Sequence, residues 1–235
     1  MSAVRLLTLA AALVAGIAAA AGPAPGEYIT EQGWGRLSIG PATVRGGAPF
    51  AIESVGGNFH ICSLEGRIVG DTATLEGDED GDCVVRFRSG PQGIAVEANS
   101  ACRTYCGMRA GFEGEYLRPA PGCGDAERRA TRDAFKRQYD GKRHAEALAT
   151  LSPLLQRCAR TLSWLETGEI RNDLAITQYR LGRRADCLRT LAPFEEEAKL
   201  SDDEILAGYP PSDGEAWLPI VKAARFNLGL CRKPR

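Results

Sequence analysis

Eight cysteines stand at Cys62, Cys83, Cys102, Cys106, Cys123, Cys158, Cys187 and Cys231, all downstream of an export-type N-terminus. This pairing of features constrains the fold most. Arg5 forms a short basic head, Leu6 to Ala20 is apolar, Ala18 to Ala21 offer small-residue cleavage positions, and Gly22-Pro23 ends the helix-forming run. The apolar run is shorter than the about 20 residues that cross a bilayer and has the layout of a signal peptide. Residues 1–21 are therefore expected to be removed, leaving a periplasmic or secreted protein with no membrane span. No cysteine lies near the cleavage region, so lipid anchoring is not expected. An even number of cysteines in an oxidising compartment reads as a disulfide framework. Structural zinc would need paired C-x2-C or Cys/His clusters, and the one close pair is Cys102 and Cys106, so neither a metal nor another cofactor is expected.

Lys and Arg number 29 against 30 Asp and Glu, and a formal net charge of −1 argues against a nucleic-acid binder. The two histidines, His60 and His144, exclude a His-rich metal centre. Any Ser-His-Asp arrangement would have to use one of them. No G-x-S-x-G elbow and no Gly-rich phosphate loop occurs, so catalysis is not expected. His60 reads as a structural histidine beside Cys62, and His144 as a surface residue. The carboxylates of Glu76 to Asp82 lack the Gly and Glu positions of an EF-hand loop and read as a solvated hairpin turn. Glu195-Glu-Glu197 and Asp202-Asp-Glu204 read as solvated charge runs.

The chain divides at Pro119-Ala-Pro-Gly-Cys123, giving domains over 22–119 and 123–235. Between Gly22 and Gly122 there are 13 acidic and 8 basic residues; from Cys123 onward there are 17 and 20. The first half alternates with period two: Cys83, Val85 and Phe87 against Arg86 and Arg88; Ile94, Val96 and Ala98; Phe112, Gly114 and Tyr116 against Glu113 and Glu115. Further strands are expected around Trp34–Ile39, Phe50–Ser54, Phe59–Leu64 and Thr72–Glu76, separated by Gly46-Gly47, Gly56-Gly57, Asp80-Gly81 and Gly90-Pro91. Seven or eight short antiparallel strands make a small barrel or sandwich.

The run Gly57-Asn-Phe-His-Ile-Cys62-Ser-Leu-Glu-Gly66, then Cys83, then Cys102-Arg-Thr-Tyr-Cys106-Gly-Met-Arg-Ala-Gly-Phe112-Glu-Gly-Glu-Tyr116, resembles a small β-module of exported bacterial proteins that accompanies LprI-type lysozyme-inhibitor domains. The resemblance covers roughly residues 26–118 and implies a β-fold in the cell envelope. The Ser-Gly-rich inhibitory loop of membrane-associated lysozyme inhibitors has no counterpart here.

The second half predicts helices at 125–139, 143–158, 164–181, 184–199, 202–207 and 213–231, with Pro219 kinking the last or marking its start. Asp125 can cap the first. Ser163 with Glu166, Ser201 with Glu204 and Ser212 with Glu215 match the S-x-x-E capping box, and Gly141 and Gly182 mark helix ends. Tyr139…Gly141…Ala145-Glu-Ala147-Leu148…Leu151…Pro153 parallels Tyr179…Gly182…Ala185-Asp-Cys187-Leu188…Leu191…Pro193. This resembles the tetratricopeptide repeat in degenerate form, with Phe226 to Gly229 opening a third unit. The fold class is thus α+β in two domains, a small antiparallel β-barrel or sandwich followed by a tetratricopeptide-like array of helical hairpins.

The resemblance implies a concave groove lined by the first helix of each pair. Arg129, Arg132 and Lys136 share one helix face there, with Asn172, Tyr179 and Arg180 on the corresponding face of the second pair. Guanidinium groups so placed would grip a protein or peptide partner with acidic segments. The alternative function is an inhibitor or immunity-type protein against a lysozyme or other wall-degrading hydrolase, using the loop Ser100–Cys106 with Arg103 and Tyr105. In an antiparallel first hairpin, Cys123 and Cys158 lie side by side, and Cys187 meets Cys231 if the final helix returns beside it. In the β half the favoured pairs are Cys62–Cys83 and Cys102–Cys106, with Cys62–Cys102 plus Cys83–Cys106 left open.

Overall fold

The computed structural model describes residues 22–43, 46–79 and 81–233, so the expected signal peptide lies outside the described residues. The first half forms eight antiparallel strands: β1 (Gly26–Thr30), β2 (Gly35–Ile39), β3 (Ala48–Val55), β4 (Ile61–Ile68), β5 (Thr72–Asp78), β6 (Gly81–Ser89), β7 (Gly93–Ala98) and β8 (Gly114–Leu117). They hydrogen-bond in the order β4-β3-β2-β1-β8-β7-β6-β5. The sheet is therefore a meander whose last strand pairs with its first. It curls into a barrel open only between β4 and β5, where Val69 and Thr72 make a single bridge. Alternate residues point inward, as in β3, where Ala48, Phe50, Ile52 and Ser54 are buried. The Phe50 ring of β3 meets Phe87 of β6 edge-on across the interior, with centroids 4.9 Å apart.

Two expectations for this half change. β1 carries no strong alternation, and its pairing with both β2 and β8 makes it a strand. The stretch expected to start a strand at Phe59 is instead a turn over Gly57–Phe59, in which Asn58 (φ 58°) and Phe59 (φ 55°) are left-handed, and β4 begins at Ile61.

A 3-10 segment, Ser100–Tyr105, caps one end of the barrel. Its cysteines do not pair as favoured, nor as in the alternative. The bridges are Cys62–Cys106 and Cys83–Cys102, with Cα separations of 4.0 and 4.5 Å. Cys62–Cys83 fails because β5 lies between β4 and β6. Cys102–Cys106 fails because the two residues attach opposite ends of the segment to different strands. Gly107 N donates to Ile61 O on β4, Asn99 N to Val84 O on β6, and the Tyr105 hydroxyl to Glu76 O on β5. The segment thus ties together β4 and β5, which flank the open seam, and β6 beside them.

The second half forms α1 (Asp125–Asp140), α2 (His144–Arg157), α3 (Trp164–Arg180), α4 (Arg184–Leu191), α5 (Asp202–Ala207) and α6 (Pro211–Arg232). Bridges Cys123–Cys158 and Cys187–Cys231 join the ends that the hairpin geometry brings together, at 5.4 and 6.3 Å. The repeat is visible in the backbone. Gly141 N→Arg137 O, Lys142 N→Tyr139 O, Arg143 N→Gln138 O and Ala147 N→Arg143 O recur 40 residues later as Leu181→Thr177, Gly182→Tyr179, Arg183→Gln178 and Cys187→Arg183. Ala147 and Cys187, and likewise Leu151 and Leu191, are fully buried at matching positions.

In that register the left-handed position is Gly182 in the second turn but Lys142 (φ 62°) in the first, not Gly141. Lys142→Gly should therefore raise the unfolding free energy by about 0.5–1 kcal/mol, since relief of Cβ strain exceeds the added freedom of the unfolded chain. Urea unfolding measures it, and a loss of stability would contradict the assignment of the turn.

The fourth helix ends at Leu191 rather than 199, and short 3-10 turns follow, the first of them carrying Pro193. α6 runs unbroken through Pro219 and starts at Pro211, so Ser212 lies inside it and forms no capping box with Glu215. Ser163 and Ser201 do form theirs. Asp125 is the first residue of α1 rather than its cap; Glu127 accepts from Gly124 N instead.

Candidate functional site

Three of the contacts between the two halves use unusual backbone or buried charge. The β1–β2 turn, Glu31–Gly33, holds Gln32 at φ 64° and Gly33 at φ 66°. Gln32 N donates to Arg160 O at 2.7 Å. A Cβ on Gly33 would lie 2.6 Å from Thr161 O, so only glycine fits. At the second contact Asn58 caps α6 from the other domain: Ser212 N donates to Asn58 Oδ1 at 2.8 Å, and Asn58 N donates to Asp213 Oδ2 at 2.9 Å. At the third, Asp125 N donates to Glu27, and the Asp125 carboxylate lies between Arg36 of β2 and Arg128 of α1. Among the described non-glycine residues four have positive φ, and Gln32, Asn58 and Phe59 of them sit at this junction. Strain concentrated in one place marks a geometry that the surrounding structure enforces.

The chain's three tryptophans converge at the same junction. Trp34 follows the β1–β2 turn, Trp164 opens α3, and Trp217 lies in α6. The Trp164 ring is 4.8 Å from Trp217 and stacks with Tyr209 at 5.9 Å; Phe194 stacks on Trp217 at 5.7 Å. Trp164 remains 41% exposed despite its two aromatic neighbours. It forms a ridge between two grooves. One, of about 480 Å³, is walled by Trp34, Trp164, Pro193, Phe194 and Trp217, with Arg171 as its one charged residue. The other, of about 440 Å³, runs past Val55, Phe59 and Tyr209. Both share Gln32, Trp34 and Trp164, so they form one cleft between the halves.

Glu197 sets the rings. Its two carboxylate oxygens accept from the Tyr209 hydroxyl at 2.5 Å and from Trp217 Nε1 at 3.0 Å. The run expected to be solvated is therefore partly structural. So is the next, where Asp202 pairs with Lys222 and Arg225. Burial, reinforced by the Glu197 hydrogen bond and charge, pushes the Tyr209 phenol up to about 12. Its folded value exceeds the unfolded 10.0, so its contribution is complete below pH 10 and is lost as pH rises to about 12. Wild-type protein should lose stability more steeply than Tyr209→Phe above about pH 10, measured by urea unfolding. Parallel curves would remove Tyr209 as the titrating group.

Of the residues expected at a binding groove, Arg129, Arg132 and Lys136 do line one together, beside Tyr139. That groove is not basic. Asp133, Asp140 and Asp173 line it too; Arg132 reaches Glu169 at 2.6 Å, and Lys136 reaches Asp140 at 3.0 Å. Burial holds the Asp173 carboxyl above its ordinary range, with Arg132 opposing. Asn172 is buried and pins α3 to α6: its Nδ2 donates to Ile220 O at 3.0 Å, and its Oδ1 accepts from Asn227 Nδ2 at 3.1 Å. Tyr179 is half-buried against the core around α4 and α6, while Arg180 is exposed. Arg103 is exposed on the barrel cap, and Tyr105 is held by Glu76. His144 is half-buried against the Tyr139 ring rather than lying free on the surface. No local pattern in the sequence joins the cleft aromatics; their one sequence signal is that tryptophan is scarce, three in 235 residues.

No known protein family, curated protein or solved structure matches this chain. Fold and cleft together define its class: a disulfide-stabilised two-domain protein, a near-closed β-barrel joined to a packed helical array. Among the described residues no helix is long and apolar enough to cross a membrane.

Proposed function

We propose that this chain is an exported, non-catalytic binding protein of the cell envelope whose protein or peptide partner docks in the interdomain aromatic cleft. The observation that carries the reading is the convergence of Trp34, Trp164 and Trp217 on a junction where three strained non-glycine residues also meet. Partly exposed tryptophan in a preformed apolar groove is the usual anchor of a binding hot spot. The signal-like pattern of residues 1–21 supports export, and four disulfides with no free cysteine agree with it.

Trp164→Ala should weaken partner binding at least tenfold, about 2 kcal/mol as hot-spot residues do, with the circular dichroism spectrum unchanged. Partner capture from periplasmic extract followed by titration measures it. The combined replacement of Arg129, Arg132 and Lys136 by Ala should leave that binding within about twofold, because the groove they line is charge-balanced. Loss of binding in the triple variant alone would move the site to α1.

The second reading, inhibition of a wall-degrading hydrolase, rests on Arg103 and Thr104, presented on a segment clamped by both β-domain disulfides. Near-equimolar inhibition of lysozyme that Arg103→Ala abolishes would favour it over the cleft.

A further inference from the structure

The larger of the two grooves contains one formal charge. Arg171 projects from α3 between walls of Trp34, Trp164, Pro193, Phe194 and Trp217, and no acidic residue lines this groove. Arg171 makes no ion pair among the described residues. Its Nη1 donates to Thr190 O at 3.1 Å, which fixes the guanidinium and leaves the remaining donors without a protein partner among those residues. The adjoining groove differs: Arg36 there is paired with Asp125, and Asp213 accepts from Asn58 N. The cleft thus has one unneutralised cation at one end and aromatic walls along the rest.

We propose that this cleft takes the free C-terminus of a peptide whose last residues are apolar, with the terminal carboxylate on Arg171. The inference rests on the cleft being the binding site. A planar guanidinium with free donors takes a carboxylate in two parallel charge-assisted hydrogen bonds. Arg171 lies two turns beyond Trp164 on the same face of α3, about 10 Å along the helix, which about three extended residues span. A chain end is the occupant that supplies one anion and otherwise apolar side chains. An internal Asp or Glu would bring polar main chain on both sides of the charge into walls that offer few partners.

The cleft tryptophans report occupancy directly through intrinsic fluorescence. The probe is a synthetic hexapeptide ending Ala-Val-Leu-Phe, titrated as free acid and as C-terminal amide, with decanoate as a third ligand. The free acid is expected to bind at least tenfold more tightly than the amide. Arg171→Gln should reduce that ratio to below threefold, and Arg171→Lys should keep part of it. Because the readout is the acid-to-amide ratio within each variant, a general loss of packing does not imitate it. Equal binding of acid and amide that Trp164→Ala abolishes would overturn the carboxylate assignment and leave the cleft standing. Tighter binding of decanoate than of the peptide acid would overturn the peptide as occupant. If no peptide form binds and Trp164→Ala leaves partner capture untouched, the inference and the cleft both fail.

Discussion

Arg128→Met is expected to lower the unfolding free energy by about 3 kcal/mol, because it leaves carboxylates clustered at a largely buried site without their central cation. The Arg128 side chain is only 4% exposed although it stands in the first turns of a helix. Its Nη1 donates to Thr161 O at 3.1 Å, and its Nη2 faces Asp125 and Glu166 Oε1, the latter at 3.4 Å. One guanidinium therefore joins α1, the α2–α3 loop and the start of α3. Asp125 in turn holds Arg36 of the barrel, so the loss spreads to the junction between the halves. Arg128→Lys keeps the charge but not the fork, and should cost less than Arg128→Met. Urea unfolding followed by tryptophan fluorescence and by far-ultraviolet circular dichroism tests both parts. A loosened junction makes the fluorescence transition precede the other. Coincident transitions with a loss under about 1 kcal/mol would show that Arg128 is dispensable to the docking.

Removing the Cys62–Cys106 bridge as a double Ala variant is expected to cost about 3.5 kcal/mol, by the loop-entropy account for the loop that remains once the nested Cys83–Cys102 bridge has formed. The bridge has a second task. β4 is an end strand of the sheet, and its side facing β5 is held to the capping segment by this bridge and by Gly107 N→Ile61 O. Amide exchange should rise along Ile61–Ile68 while β1 and β2, paired on both sides, stay protected. Uniform acceleration over all eight strands would mean that the barrel opens only as a whole. Digestion without reduction should recover the peptides of Cys62 with Cys106 and of Cys83 with Cys102, and no linked pair of Cys62 with Cys83.

Much of the secondary structure was legible because its causes are local. The alternation through Cys83–Arg88, the capping boxes at Ser163 and Ser201, and the 40-residue self-similarity all act within a few residues or one hairpin. The misreadings share one physical feature. β1 is a strand because the distant β8 hydrogen-bonds to it on the side away from β2, and α6 begins early because Asn58 of the β half caps it. In α1 the helical face suggested Arg129, Arg132 and Lys136 as a basic surface, but the neighbouring helix supplies both Glu169 and Asp173 to Arg132, and Asp140 of α1 takes Lys136.

By itself, then, the sequence determined the change from period two to period 3.6 at the Pro119–Cys123 linker, the order of an antiparallel barrel or sandwich followed by helices, and the pairing of Cys123 with Cys158 and, given a returning final helix, of Cys187 with Cys231. Only the tertiary structure decided the β-domain pairing, because the strands carrying Cys62 and Cys83 are parted by β5 and both lie under one capping segment. It also decided that Arg128 is buried rather than Arg129, and that Trp34, Trp164 and Trp217 share one cleft. These contacts join residues far apart in the chain. Their free energy depends on which surfaces exclude water together, and no local period encodes that.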